Sequence, residues 1–160
     1  MLHFDNAYRN RSIRQNRTNK YINSIIALSN DVRGGVILSK KIKRELQIYF
    51  REVKRYRTFT YLVFSACVAF LIAEFDIKQK VIVDREYFGH DKFIKKHIAI
   101  FLNRLGINYH VLITFESIGK HSPADDLANK IGMREIKPTK NITYKETINL
   151  VFPKKNDRVP

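Results

Sequence analysis

The sequence predicts an α/β fold, a mixed sheet with helices on both faces, on three observations. Short β-rich runs precede residue 40, a helical period takes over at Lys40, and strand-like and helix-like segments alternate from there on. Strands separated by helices require crossover connections, so the sheet is at least partly parallel. A length of 160 residues with 44% hydrophobic side chains is enough to close one core, and only six Gly and four Pro leave no low-complexity linker. The expected organisation is a single domain over residues 1–152, with a basic loop or arm at 7–20 and a flexible tail at 153–160.

Taken in order, Leu2 to Asp5 reads as a short first strand. Tyr21–Ser29 and Val36–Ser39 read as two more, joined by a hairpin loop in which Gly34 and Gly35 are turn residues. From Lys40, the apolar positions Ile42, Leu46, Tyr49, Val53 and Tyr56 recur at helical spacing, with Lys43, Arg44, Arg51, Lys54 and Arg55 on the remaining surface. Phe59–Ala73 follows as fifteen residues without a charge. A bilayer-spanning helix needs about 20, so a buried core helix is expected and no stable membrane insertion. Arg55 and Arg57 before the run, with Glu74 and Asp76 after it, leave a membrane-anchored protein as the third functional reading.

Val81–Val83 is a β-branched strand ending in Asp84. Asp91–Leu105 has the period of a helix stopped by Gly106, and Tyr109–Phe115 reads as the clearest strand. Ser122 as N-cap and Pro123 at the first helical position open a helix that ends at Gly132. One further apolar piece, Ile142–Phe152, closes the pattern, and its Ile148–Phe152 end suits pairing with a second chain in a homodimer.

Thirty Lys and Arg against fifteen Asp and Glu give a formal charge of +15, which points to a polyanionic partner, nucleic acid (DNA or RNA) first. Residues 1–58 carry +10 of this. Arg9, Arg11, Arg14, Arg17 and Lys20 lie among Asn, Gln, Ser and Thr, the side chains that track phosphates, and Arg44, Arg51 and Arg55 extend the basic surface along the helix. Cys67 stands alone among apolar neighbours, which excludes an intrachain disulfide and suits a buried thiol. Together with the lack of an apolar leader in Met1–Lys20, this makes the expected location cytoplasmic. Neither a nucleotide-cradling glycine loop nor zinc spacing among the five histidines is present.

In so basic a chain the positions of the acids are informative. Asp84 stands at the carboxyl end of its strand, where sites of open α/β sheets collect, and Glu86 lies two residues on. Asp125 and Asp126 fall in the first turn of the last well-defined helix, where a capping box and the helix dipole also favour acids. Three N-terminal strands, a long helix, a strand ending in Asp, a helix, a strand and a helix opening with acids resemble the ribonuclease H-like nuclease and resolvase superfamily. The run SPADDLA is similar to the helix opening that many members carry. The resemblance implies a ribonuclease H-like mixed sheet and a divalent-metal-dependent phosphodiester hydrolase, with Mg2+ or Mn2+ held by Asp5, Glu45, Asp84 and Asp125 or Asp126. Glu86 or Asp31 would complete the set if Asp5 did not. Lys120 and His121, just before the last helix, are candidates for touching the scissile phosphate. A non-catalytic basic nucleic-acid-binding protein, with structural acids, is the alternative.

Overall fold

A computed structural model describes residues 23–29, 32–118 and 122–154 in full and the backbone of residues 2–6. The expected arm at 7–20, including Arg9, Arg11, Arg14, Arg17 and Lys20, lies outside the described residues, as do Asp31, Lys120, His121 and 155–160. The architecture is mixed α/β. Among the described residues six strands form one sheet: β1 (Leu2–Asn6), β2 (Ser24–Ser29), β3 (Arg33–Leu38), β4 (Val81–Asp84), β5 (Ile113–Glu116) and β6 (Lys140–Asn141). Their spatial order is β5-β4-β1-β2-β3-β6. β2 is antiparallel to both β1 and β3, whereas β1–β4, β4–β5 and β3–β6 are parallel. The carboxyl ends of β1, β3, β4 and β5 therefore share one end of the sheet.

Among the described residues five helices cover the faces: α1 (Lys40–Glu52), α2 (Phe59–Glu74), α3 (Asp91–Arg104), α4 (Pro123–Gly132) and α5 (Tyr144–Val151). The apolar run forms α2, and every residue from Leu62 to Ile72 is buried. A helix apolar all round is stable only when surrounded, and this one meets β2, β3, α3 and α5. With the preceding 3-10 turn it is the one helix among the described residues long and apolar enough to cross a bilayer by length and composition, yet its apolar surface is taken up by the core. Ile26, Leu28, Val36, Leu38, Val81, Val83 and Ile113 face it from the sheet. The opposite sheet face is covered by α4, where Leu127, Ala128 and Ile131 pack on Ile25, Ala27 and partly buried Ile37. Cys67 lies within α2, and burial pushes its thiol up to about 12, only partly opposed by the nearby Lys43 ammonium.

Several expectations are corrected by packing. Gly34 and Gly35 belong to β3 and not to a turn. A β-carbon at Gly34 would run into the Phe75 ring and Thr139 Oγ1, and one at Gly35 would lie 2.7 Å from Ile131 Cδ1, so both are glycine because other elements approach closely. The apolar stripe of α1 stops with the helix at Glu52. Val53 and Tyr56 are exposed, Phe50 is fully buried, and Lys43, expected on the surface, is only 4% exposed, with its Nζ donating to Ser24 Oγ at 3.1 Å. β5 is shorter than Tyr109–Phe115 because its partner β4 is only four residues long. The last apolar piece, Ile142–Phe152, contains α5, with β6 just before it, and its Leu150 and Val151 are buried in the core rather than free for a second chain.

Four helices end alike. The residue after the cap is left-handed at Lys54 (φ 56°), Asp76 (φ 47°), Gly106 (φ 81°) and Arg134 (φ 62°), and the next amide reaches back, as from Arg55 N–H to Phe50 O at 2.7 Å. This is the Schellman arrangement, which favours glycine. Lys54→Gly is expected to raise the melting temperature, by relief of roughly 1 kcal/mol of left-handed strain. Gly34→Ala should lower it, at a cost of about 1–3 kcal/mol for overpacking. Thermal denaturation of the two variants checks both signs. The Cys67 thiol is expected to resist alkylation in the folded protein and to react once denaturant is added, as read by mass spectrometry.

Candidate functional site

β1, β4 and β5 run side by side in the same direction, so their carboxyl-terminal residues form a row across the sheet. The register pairs Phe4 with Val83 and Asp84 with Glu116. Val81 and Val83 enter the main core, and the pleat alternates, so Ile82 and Asp84 stand on the opposite, α4-covered face. Adjacent strands in register share their faces, which places Glu116 beside Asp84 on that side. The backbone of Asp5 is paired with Ala27, a residue packed under α4, and follows the Phe4–Val83 pair by one step. Three acidic positions, Asp5, Asp84 and Glu116, thus occupy neighbouring strand ends. The side chain of Asp5 lies outside the described part.

Asp84 is half-buried, and its Oδ1 accepts from Ile118 N–H at 3.0 Å, which anchors the chain leaving β5. Arg85 is tied down as well: its Nε donates to Asp91 Oδ2 at 2.9 Å and its Nη2 to Phe115 O at 3.0 Å. A fixed cation is therefore built between β4, β5 and the start of α3. Glu86 does not continue the strand. Its amide turns back onto Asp84 O at 3.0 Å, so the two-residue alternation that would have put it beside Asp84 ends at Asp84 itself.

α4 brings Asp125 and Asp126 of the expected set to the same sheet face. Ser122 caps it, its Oγ accepting from Asp125 N–H at 3.1 Å, and Pro123 occupies the first turn as expected. Ala124, Leu127, Ala128 and Ile131 are its buried side, leaving Asp125 half-buried and Asp126 exposed at its N-terminal end. Glu45 is not on this face. It belongs to α1, in the helix layer across the sheet, where the buried positions Lys43, Leu46 and Phe50 turn it toward α5. There burial raises the Tyr144 phenol, and Tyr49, Glu52 and Glu45 add to the effect through their charge.

Oxygen donors of this kind suit a hard divalent cation. Among the described residues no three His, Cys, Asp or Glu side chains come close enough to hold a metal, so Asp84 and Glu116 need a further ligand, and Asp5 is the position adjacent to them. Of the expected nucleic-acid-binding residues, Arg44, Arg51 and Arg55 are exposed, and Arg51 lies over the Tyr56 ring at 4.6 Å from its centroid. Glu116 escaped the sequence reading, although it ends its strand as Asp84 ends VIVD. The signal was the common register, which only the pairing of β4 with β5 displays.

Asp84→Ala is expected to destabilise the protein by about 1–3 kcal/mol, because the Ile118 amide loses its charged acceptor. Asp84→Asn keeps an acceptor oxygen there and should cost less, a difference measurable by chemical denaturation. No protein-family model, curated protein or solved structure matches the chain.

Proposed function

We propose that this is a nucleic-acid-binding protein of ribonuclease H-like architecture that hydrolyses phosphodiesters with Mg2+ or Mn2+ at the carboxyl ends of β1, β4 and β5. The observation that carries the reading is the strand arrangement. An antiparallel β1–β2–β3 unit, extended by parallel β4 and β5 on the β1 side, puts the positions of Asp5 and Asp84 next to each other at adjacent strand ends. The net charge of +15 supplies attraction for phosphate, and it also offsets the repulsion among the acids.

Asp5, Asp84 and Glu116 would hold the cations, with Asp125 or Asp126 approaching from α4. Bound there, the metal would supply an activated water and charge stabilisation of the leaving oxygen. The chain's own contributions are distinct from this. The β4–β5 pairing fixes the separation of Asp84 and Glu116, the Ile118 amide orients the Asp84 carboxyl, and the bonds of Arg85 hold the connection that follows. Arg44, Arg51 and Arg55 grip the phosphate backbone without reading sequence.

A second reading, a non-catalytic nucleic-acid-binding protein on the same scaffold, draws on the lack of a three-acid group among the described residues. The two separate in one experiment, a cleavage panel over single-stranded, duplex, hybrid and junction substrates with Mg2+ or Mn2+. Asp84→Asn is expected to lose metal-dependent cleavage while retaining binding that weakens as salt rises. Cleavage undiminished in the variant sinks the catalytic assignment, and binding without cleavage by the unaltered protein favours the second reading.

A further inference from the structure

Immediately after Asp84 the chain makes a turn whose side chains have no evident structural duty at its tip. His90 N–H donates to Tyr87 O at 3.1 Å, and Gly89 at the third turn position has φ 81°. A type II turn demands a positive φ there, which glycine supplies without a Cβ penalty. The turn projects Phe88, which at 72% exposure is the most exposed large hydrophobic side chain among the described residues. Its base, by contrast, is firmly seated. Tyr87 packs edge-on against Tyr61 and Phe64 at 5.6 and 5.3 Å between centroids, and His90 stacks on Tyr61 at 4.0 Å with the planes 19° apart. Phe93 closes the cluster from α3, 6.0 Å from Tyr61.

An exposed aromatic ring on a rigid aromatic base is poorly suited to water and well suited to a flat apolar ligand. The surrounding charge narrows the choice. Arg57 precedes α2 four positions before Tyr61, and Lys92, Lys95 and Lys96 are exposed on the first turns of α3, whose Phe93 meets Tyr61. A flat π-face carried on a polyanion is a nucleobase, and a base whose face is accessible is unpaired. Phe88 lies four positions after Asp84, so their Cα atoms are at most about 14 Å apart.

We propose that the Tyr87–His90 turn, with Phe88 at its tip, is a stacking platform for an unpaired base, and that the polyanion engaged at this end of the sheet is single-stranded nucleic acid. This rests on the nucleic-acid reading above and specifies its substrate class. The phosphates lie along Arg57 and the α3 lysines while a base stacks on Phe88, directing the strand toward the row of acids.

The test is metal-free binding followed by fluorescence anisotropy, using a labelled single-stranded thymidine oligonucleotide, an abasic strand of equal length and a duplex. The unaltered protein is expected to bind the base-bearing strand about tenfold or more tighter than the abasic strand, as loss of one stacked base implies. Phe88→Ala, at an exposed position that leaves the fold intact, should remove that preference and leave duplex binding unchanged. Phe88→Trp should retain it, and in a chain with no other Trp its emission should be quenched by the base-bearing strand alone. Equal affinity for base-bearing and abasic strands overturns the platform while leaving phosphate-driven binding in place. A preference that survives in Phe88→Ala also overturns it, as does a change in sedimentation showing that Phe88 is a self-association contact. Failure to bind any of the three ligands removes both the platform and the reading on which it rests.

Discussion

The burial of α2 is the constraint on which the other elements depend. From Leu62 to Ile72 every residue is buried, so the circumference of this central part cannot face water at low cost. Each fully buried Leu, Ile or Phe contributes roughly 1.5–3 kcal/mol of transfer free energy, so the helix supplies a large part of the favourable burial and dictates what surrounds it. The sheet closes one side, α3 another, and α5 the gap between α1 and α3. Phe50, Phe59 and Phe152 fill the junction at 5.0 and 5.1 Å between ring centroids. Among the described residues one sheet face is thereby committed to four helices, and the other to α4 alone.

That asymmetry explains where polar chemistry collects. Beneath a single ten-residue helix the second face is not covered uniformly. Ala27 and Ile25 are sealed by Leu127, Ala128 and Ile131, whereas β4 and β5 end beyond that contact with Asp84 half-buried and Glu116 exposed. Carboxylates are tolerated at such an edge because solvent reaches them and backbone amides can satisfy them, as Ile118 does for Asp84. The same acids placed on the α2 face would have to be desolvated among aliphatic side chains. Positive charge is handled in a similar way. Lys43 enters the interior with Ser24 as a hydrogen-bond partner, while Arg44, Arg51 and Arg55 are exposed.

Legibility varied with the range of the interaction that shaped each feature. The cap of α4 was readable because Ser122, Pro123 and Asp125 act within one turn. The terminator Gly106 was readable for the same reason, whereas Lys54 and Arg134 occupy equivalent left-handed positions with no compositional mark. Gly132 is the last residue of α4, as expected, although the left-handed residue comes two positions later. Gly34 and Gly35 looked like turn residues because glycine's commonest local use is a turn. Their actual reason, the approach of Phe75, Thr139 and Ile131, involves residues 41 to 105 positions away. Among the acids, Asp84 was legible from its own strand. Glu116 was not, because its importance comes from register with a neighbour, and Glu45 was misplaced because a helical position alone does not say which layer the helix joins.

From residue order alone came the mixed α/β class, the buried apolar run Phe59–Ala73, the strand ending in Asp84, the capped helix at Pro123 and the strongly basic balance. Periodicity, caps and net charge are properties of contiguous residues, so they survive being read without coordinates. Strand order, the alignment of Asp84 with Glu116, the side of the sheet that each helix covers and the projection of Phe88 from an aromatic base were decided only by tertiary structure. These depend on which distant surfaces bury one another, and such pairings are chosen by the free energy of the whole packed chain rather than by any one segment.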